Sequence, residues 1–411
     1  MKKFIAVLLA LVMVLGLAAC GGSSKPAETK PAEEAKPAEA APAEAAPAAE
    51  AAPAEAAPAA ESEVKVAMVT DYGDITDQSF NQTTYEACKA FCEANGLKFS
   101  YYKPASDSDD DRIASIELAI DDGYNVIVMP GYAFAGAIVE TVEKYPDVKY
   151  IALDVSEFDL QDANGTAKDF SWKYPANLYS AVYKEELAGY MAGVAAVKLG
   201  YTKIGYLGGM AVPAVVRYGY GFVQGVNDAA KELGKVDKIE LKYVYGNQFF
   251  GDADITAYMD TWYAAGTQVV FACGGGIYSS AAEAAQKVHG KVIGVDVDQA
   301  PTIDSKYEKD MTVTSAMKGL AATVKTLLGK VKDGSFEGGK VETLGLVSET
   351  PSENYVQLPA STQWAEGKFT EEDYKALVAD LFNGKIGVSD ESNPDVKPTT
   401  EIKVDYQGNI K

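Results

Sequence analysis

From Val64 onward, short apolar runs alternate with longer amphipathic stretches. Val64–Val69, Lys98–Tyr102, Val126–Met129 and Lys149–Leu153 read as strands. Between them, helical spacing recurs. Tyr85, Cys88 and Cys92 share one face of Gln82–Asn95, and Ile113, Ile116 and Ile120 share one face of Arg112–Asp122. Gly96 and Gly123 are placed to stop these helices, and Pro146 closes a third over Ala137–Lys144. The rhythm restarts with strands at Ile204–Leu207, Ile239–Val244, Val269–Ala272, Lys291–Val295 and Thr312–Ser315. Helices are predicted between them at Gly221–Leu233, Thr256–Ala265 and Ser279–Val288. The Ala- and Gly-rich stretch Tyr179–Leu199 joins the halves as a close-packing helix. Such alternation predicts an α/β protein with two mostly parallel, doubly wound sheets, hence two lobes.

The start of the chain is different. Lys2 and Lys3 precede the apolar run Phe4–Ala19, which is shorter than the roughly 20 residues of a membrane-spanning helix. It ends in Leu17-Ala18-Ala19-Cys20, which resembles a lipobox; the resemblance implies lipidation of Cys20 after removal of a signal peptide, residues 1–19. Residues 20–62 then form a linker in which prolines at 26, 31, 37, 42, 47, 53 and 58 forbid a long helix. Extended at about 3.1 Å per residue, it would reach on the order of 100 Å. The expected division of the remainder is 63–178 with 297–335 in a first lobe and 179–296 with 336–411 in a second.

Composition narrows the function. About 350 residues follow the linker, enough for two domains. A net charge of −22 argues against nucleic acid and anionic lipid as partners. Cys88 and Cys92, one helical turn apart, read as core residues rather than a disulfide, and Cys and His spacing predicts no metal or other cofactor. The single histidine, His289, reads as a surface residue. The run Asp107–Asp111 lacks the glycine and distal glutamate of a calcium loop and suits a helix start.

In open α/β sheets, ligands sit beyond the carboxyl ends of the strands, which directs attention to particular residues. Asp71 follows the first strand. Ser79 and Gln82 match a capping box, which would set Phe80 and Asn81 in a first helical turn. Phe80 could stack on a flat ligand or staple the helix to the core. Asp154 and Asp296 end two strands, where a carboxylate either accepts hydrogen bonds from ligand hydroxyls or caps a helix. Gly274 and Gly275 follow another strand and permit close backbone approach, with no Lys-Ser/Thr pair to make a phosphate loop. Lys318 follows the strand ending at Ser315 and could donate to a ligand or pair with a carboxylate.

Ser79-Phe80-Asn81-Gln82, the stretch from Tyr145 to Asp154, Glu186–Gly193, Gly274-Gly275 and Ile293–Gln299 occur in an order that resembles the basic membrane protein family of ABC-transporter substrate-binding lipoproteins. The resemblance implies a type I periplasmic-binding-protein fold with the ligand in the interlobe cleft. It also implies a purine nucleoside as ligand, a permease as partner and an extracytoplasmic, lipid-anchored protein. Phe80 would stack on the base, Asp71, Asn81, Asp154, Asp296 and Lys318 would surround base and ribose, and Phe249 would supply a second aromatic wall. The sequence departs from the family at Gln78, where the family usually has Lys. Such a protein is expected to be a monomer and to bind rather than catalyse. The alternatives are a sugar- or metabolite-binding protein, a surface receptor feeding a sensor, and a nucleoside hydrolase.

Overall fold

A computed structural model describes residues 63–410 except Tyr72. The expected signal peptide, Cys20 and the linker lie outside the described residues.

The first sheet takes β1 (Lys65–Val69), β2 (Lys98–Tyr102), β3 (Val126–Pro130), β4 (Lys149–Leu153) and β5 (Leu178–Tyr183). The helices between them are α1 (Phe80–Asn95), α2 (Asp109–Asp121), α3 (Ala135–Thr141) and α4 (Glu157–Ala163). After α5 (Glu185–Leu199) a second sheet is built from β6 (Lys203–Gly208), β7 (Glu240–Tyr245), β8 (Val269–Cys273), β9 (Lys291–Asp296) and β10 (Thr312–Lys318). Its helices are α6 (Pro213–Glu232), α7 (Ala253–Ala264), α8 (Tyr278–Gln286) and α9 (Ala300–Lys306). The chain then gives α10 (Leu320–Lys332), β11 (Lys340–Leu344), β12 (Val356–Gln357), α11 (Glu371–Phe382) and β13 (Lys403–Asn409).

Both sheets wind in the same order. The first runs β11-β5-β4-β3-β1-β2 and the second β12-β10-β9-β8-β6-β7-β13. β4 and β9 therefore hold equivalent places. All pairings are parallel except β10 with β12. The buried strands carry near-continuous apolar runs because helices cover both faces. One core runs from α1 and the first sheet through α5 and α6 to the second sheet, and separate cores lie under α2–α4 and under α7–α8.

Three details differ from the sequence reading. Leu178–Tyr183 is a strand, not the start of a helix, and helix begins only at Glu185. The chain also changes lobes later than expected. β5 pairs with β4 in the first sheet, β10 pairs with β9 in the second, and β11 returns to pair with β5. A strand belongs to the sheet whose edge satisfies its backbone groups, so 178–183 and 340–344 join the first lobe and 297–318 the second. The helix expected from Gly221 begins at Pro213 instead, the position at which proline's missing N–H costs nothing.

α5 and α6 pack backbone against backbone. A Cβ on Gly221 would stand 1.9 Å from the carbonyl oxygen of Glu186, and one on Gly193 would stand 2.4 Å from that of Phe222. The glycines thus set the distance between the two helices under the second sheet.

Candidate functional site

The loop after β1 enters the space between the lobes. Its fold depends on Asp77, whose carboxylate accepts the backbone N–H groups of Ser79 (2.9 Å), Asn81 (2.9 Å) and Gln82 (3.0 Å). Asp77 therefore satisfies the amides that open α1, and the expected Ser79 cap bond is absent. The Ser79 hydroxyl instead donates across the cleft to Asp296 Oδ2 at 2.6 Å. Beside it, Gln78 accepts at its backbone oxygen from Gln299 Nε2 and at Oε1 from Thr302 Oγ1, both at 3.1 Å.

Asp154 follows β4 and Asp296 ends β9, and both hold a left-handed backbone with φ 64°. Lys318, at the end of β10, lies between them. Its ammonium bonds Asp154, lies 3.7 Å from Asp296 and 3.5 Å from Glu185, and sits 4.6 Å from the centre of the Phe80 ring. Glu185 is fully buried and also accepts from Arg217 Nε at 2.7 Å. Burial pushes the Asp154 carboxyl up to about 6, with Lys318 opposing the rise. Burial raises Asp296 as well, again against Lys318. Burial works against charge on Lys318, but Asp154, Asp296 and Glu185 more than offset it and keep the ammonium charged.

A second polar group lies around Asp71. Its Oδ1 accepts the Gly73 N–H at 2.7 Å, and a Cβ on Gly131 would stand 2.7 Å from its Oδ2. Asn81 adjoins it through Gly73, where a Cβ would stand 2.3 Å from the Asn81 amide nitrogen. Phe249 packs along the other lobe, and a Cβ on Gly274 would stand 3.2 Å from its ring. Gly275, with φ 54°, turns the backbone past the same residue.

These groups line one cavity of about 540 Å³ between the lobes, within the usual range for a small-molecule site. Asp71, Phe80, Asn81, Asp154, Phe249, Gly274, Gly275, Asp296 and Lys318 all contribute to its wall. Asn81 Oδ1, Asp154 Oδ1 and the Tyr218 hydroxyl are buried there without a protein partner. Sequence reasoning missed Glu185, Arg217 and Tyr218. Glu185 fell inside the stretch expected as one close-packing helix from Tyr179, and Arg217 and Tyr218 fell before the helix expected from Gly221, so none was singled out. Nothing in spacing alone ties them to Lys318.

A family model described as ABC transporter substrate-binding protein PnrA-like matches residues 64–371. The chain belongs to this Bmp family. All nine residues fall within the match, whereas most of α11 and all of β13 lie beyond it. Among Bmp-like relatives, the ABC transporter nucleoside-binding protein BmpA of Lactococcus lactis is 28% identical over 335 residues, covering 75% of this chain and 89% of that protein. A lipoprotein of Pyrococcus abyssi is 25% identical, covering 74% and 72%. The solute-binding protein of an ABC transporter system from Conexibacter woesei superposes with a TM-score of 0.60 at 20% identity, covering 80% of this chain and 99% of that one. This last is a likeness of fold. The Bmp chain is thus an ABC-transporter substrate-binding protein with two parallel-sheet lobes. No helix among the described residues is long and apolar enough to cross a membrane.

Proposed function

We propose that this protein captures a purine nucleoside between its lobes and delivers it to an ABC-transporter permease. In this reading it is held by a lipid on Cys20 at the extracytoplasmic face of the membrane, acts as a monomer and carries out no chemistry on its ligand. The observation that carries the reading is the pair Asp154 and Asp296, presented from opposite lobes with Lys318 between them and Phe80 alongside. Two carboxylates suit the neighbouring hydroxyls of a ribose, each able to accept directional hydrogen bonds. Phe80 and Phe249 offer faces for a flat base, and Asp71 with Asn81 forms a second polar end for its edge. The nucleoside-binding relative supports the same ligand class. Closure of two lobes by hinge motion would bury the guest and mark the loaded state for the permease.

Mass spectrometry of ligand retained through native purification, followed by calorimetry with nucleosides, pentoses and hexoses, tests this. Retention of a nucleoside and calorimetric preference for nucleosides supports it. Binding of free sugars with no nucleoside binding would replace it with a sugar-uptake role.

A further inference from the structure

The two polar ends of the cavity differ in what they can donate. At the Asp154–Asp296 end, Lys318 supplies protons. At the Asp71–Asn81 end, acceptors dominate. Asp71, 8% exposed, presents a carboxylate. Asn81, 6% exposed, turns its amide nitrogen to Asp77 Oδ2 at 3.3 Å. Since the Asp77 carboxylate already gathers three backbone N–H groups, it fixes which way that amide points. Asn81 Oδ1 is left as the remaining edge, buried and without a protein partner. Three backbone donors nearby are already used: Gly73 N–H on Asp71, Asn81 N–H on Asp77, and Gly131 N–H on the carbonyl of Leu153 at 2.9 Å. The hydroxyl of Tyr132, on the same cavity wall, can donate or accept and so does not discriminate.

Resting on the nucleoside reading above, we propose that the Asp71–Asn81 end selects the N–H edge of a 6-oxopurine, so that guanosine and inosine bind in preference to adenosine. Guanine carries adjacent donors at N1 and its 2-amino group, and hypoxanthine carries one at N1. Adenine presents a bare N1 acceptor beside its amino group. Setting that lone pair against a buried carboxylate or amide oxygen strips its water without a replacement donor, and sites built for an N–H reject such analogues. Gly73 and Gly131 keep the edge open, since a Cβ at either would occupy the space next to Asn81 or Asp71.

Calorimetry on the full chain, freed of co-purified ligand, with guanosine, inosine and adenosine decides the matter. Guanosine and inosine should bind about tenfold or more tightly than adenosine. Asp71→Asn, which places an amide donor at the edge, should weaken guanosine binding and narrow the gap to adenosine. The wild-type series alone is decisive if that variant folds poorly. Adenosine binding as tightly as guanosine would overturn the selectivity while leaving the nucleoside reading intact. Failure of every nucleoside, with a pentose or hexose still binding, would instead remove the nucleoside reading itself.

Discussion

Asp154 and Asp296 are the same position in two copies of one winding: each stands at the carboxyl end of the fourth core strand of its sheet, each has φ 64°, and one ammonium, that of Lys318, lies against both. A left-handed aspartate is uncommon enough to need support from its surroundings. Here the support comes from the opposite lobe, through Lys318 for Asp154 and Ser79 for Asp296. The closed cleft and the geometry of its carboxylates therefore depend on each other.

Replacing either acid, or the neighbouring ring, should weaken capture. Phe80→Ala and Asp296→Ala are each expected to reduce nucleoside affinity at least about tenfold, roughly 1.4 kcal/mol. Isothermal titration checks this, and unchanged affinity in both variants would dissociate these residues from binding.

Removing the cation should unfold rather than merely empty the site. Lys318→Met leaves Asp154, Asp296 and Glu185 buried with only Arg217 to compensate. A loss of about 3–5 kcal/mol is expected from uncompensated buried charge. Urea denaturation at neutral pH measures it, and the loss should shrink at lower pH as the carboxylates take up protons.

The cross-cleft bond of Ser79 should bias the lobes toward closure. Ser79→Ala removes a hydrogen bond worth about 0.5–1.5 kcal/mol. Small-angle scattering of the ligand-free protein should show a larger radius of gyration than wild type, and a saturating ligand should abolish the difference. Equal radii without ligand would mean that the Gln78 contacts with Gln299 and Thr302 suffice.

Acid should stabilise this protein over a window where carboxylate-rich proteins often lose stability. Burial, reinforced by Glu185, raises the Glu186 carboxyl from 4.5 to about 7, and burial raises Asp154 from 3.8 to about 6. Between about pH 4 and 7 the folded chain then holds more protons than the unfolded one, so these two groups lower stability as pH rises. The melting temperature should be higher at pH 5.5 than at pH 8. Glu186→Gln should raise it at pH 8 and flatten the profile; a variant with the wild-type slope would assign the effect elsewhere.

Gly221→Ala should separate α5 from α6. The added methyl meets the Glu186 carbonyl, a backbone atom that cannot rotate away. Overpacking of this kind costs about 1–3 kcal/mol, readable as a fall in the denaturation midpoint.

The sequence alone determined the alternation of strands and helices, the doubly wound class and the strand ends that carry Asp71, Asp154, Asp296 and Lys318. Those features follow from local periodicity and from the rule that ligands gather beyond the carboxyl edge of a parallel sheet. It misread Leu178–Tyr183 because a short apolar run leading directly into a helix has no period of its own, and only pairing with β4 makes it a strand. It assigned the α1 cap to Ser79 because capping is scored among neighbours, whereas the hydroxyl is claimed by Asp296, 217 residues away. Glu185 and Arg217 joined the site for the same reason. Buried charge is satisfied by whatever the fold brings within reach, and that distance is set by the two sheets facing each other, not by spacing along the chain.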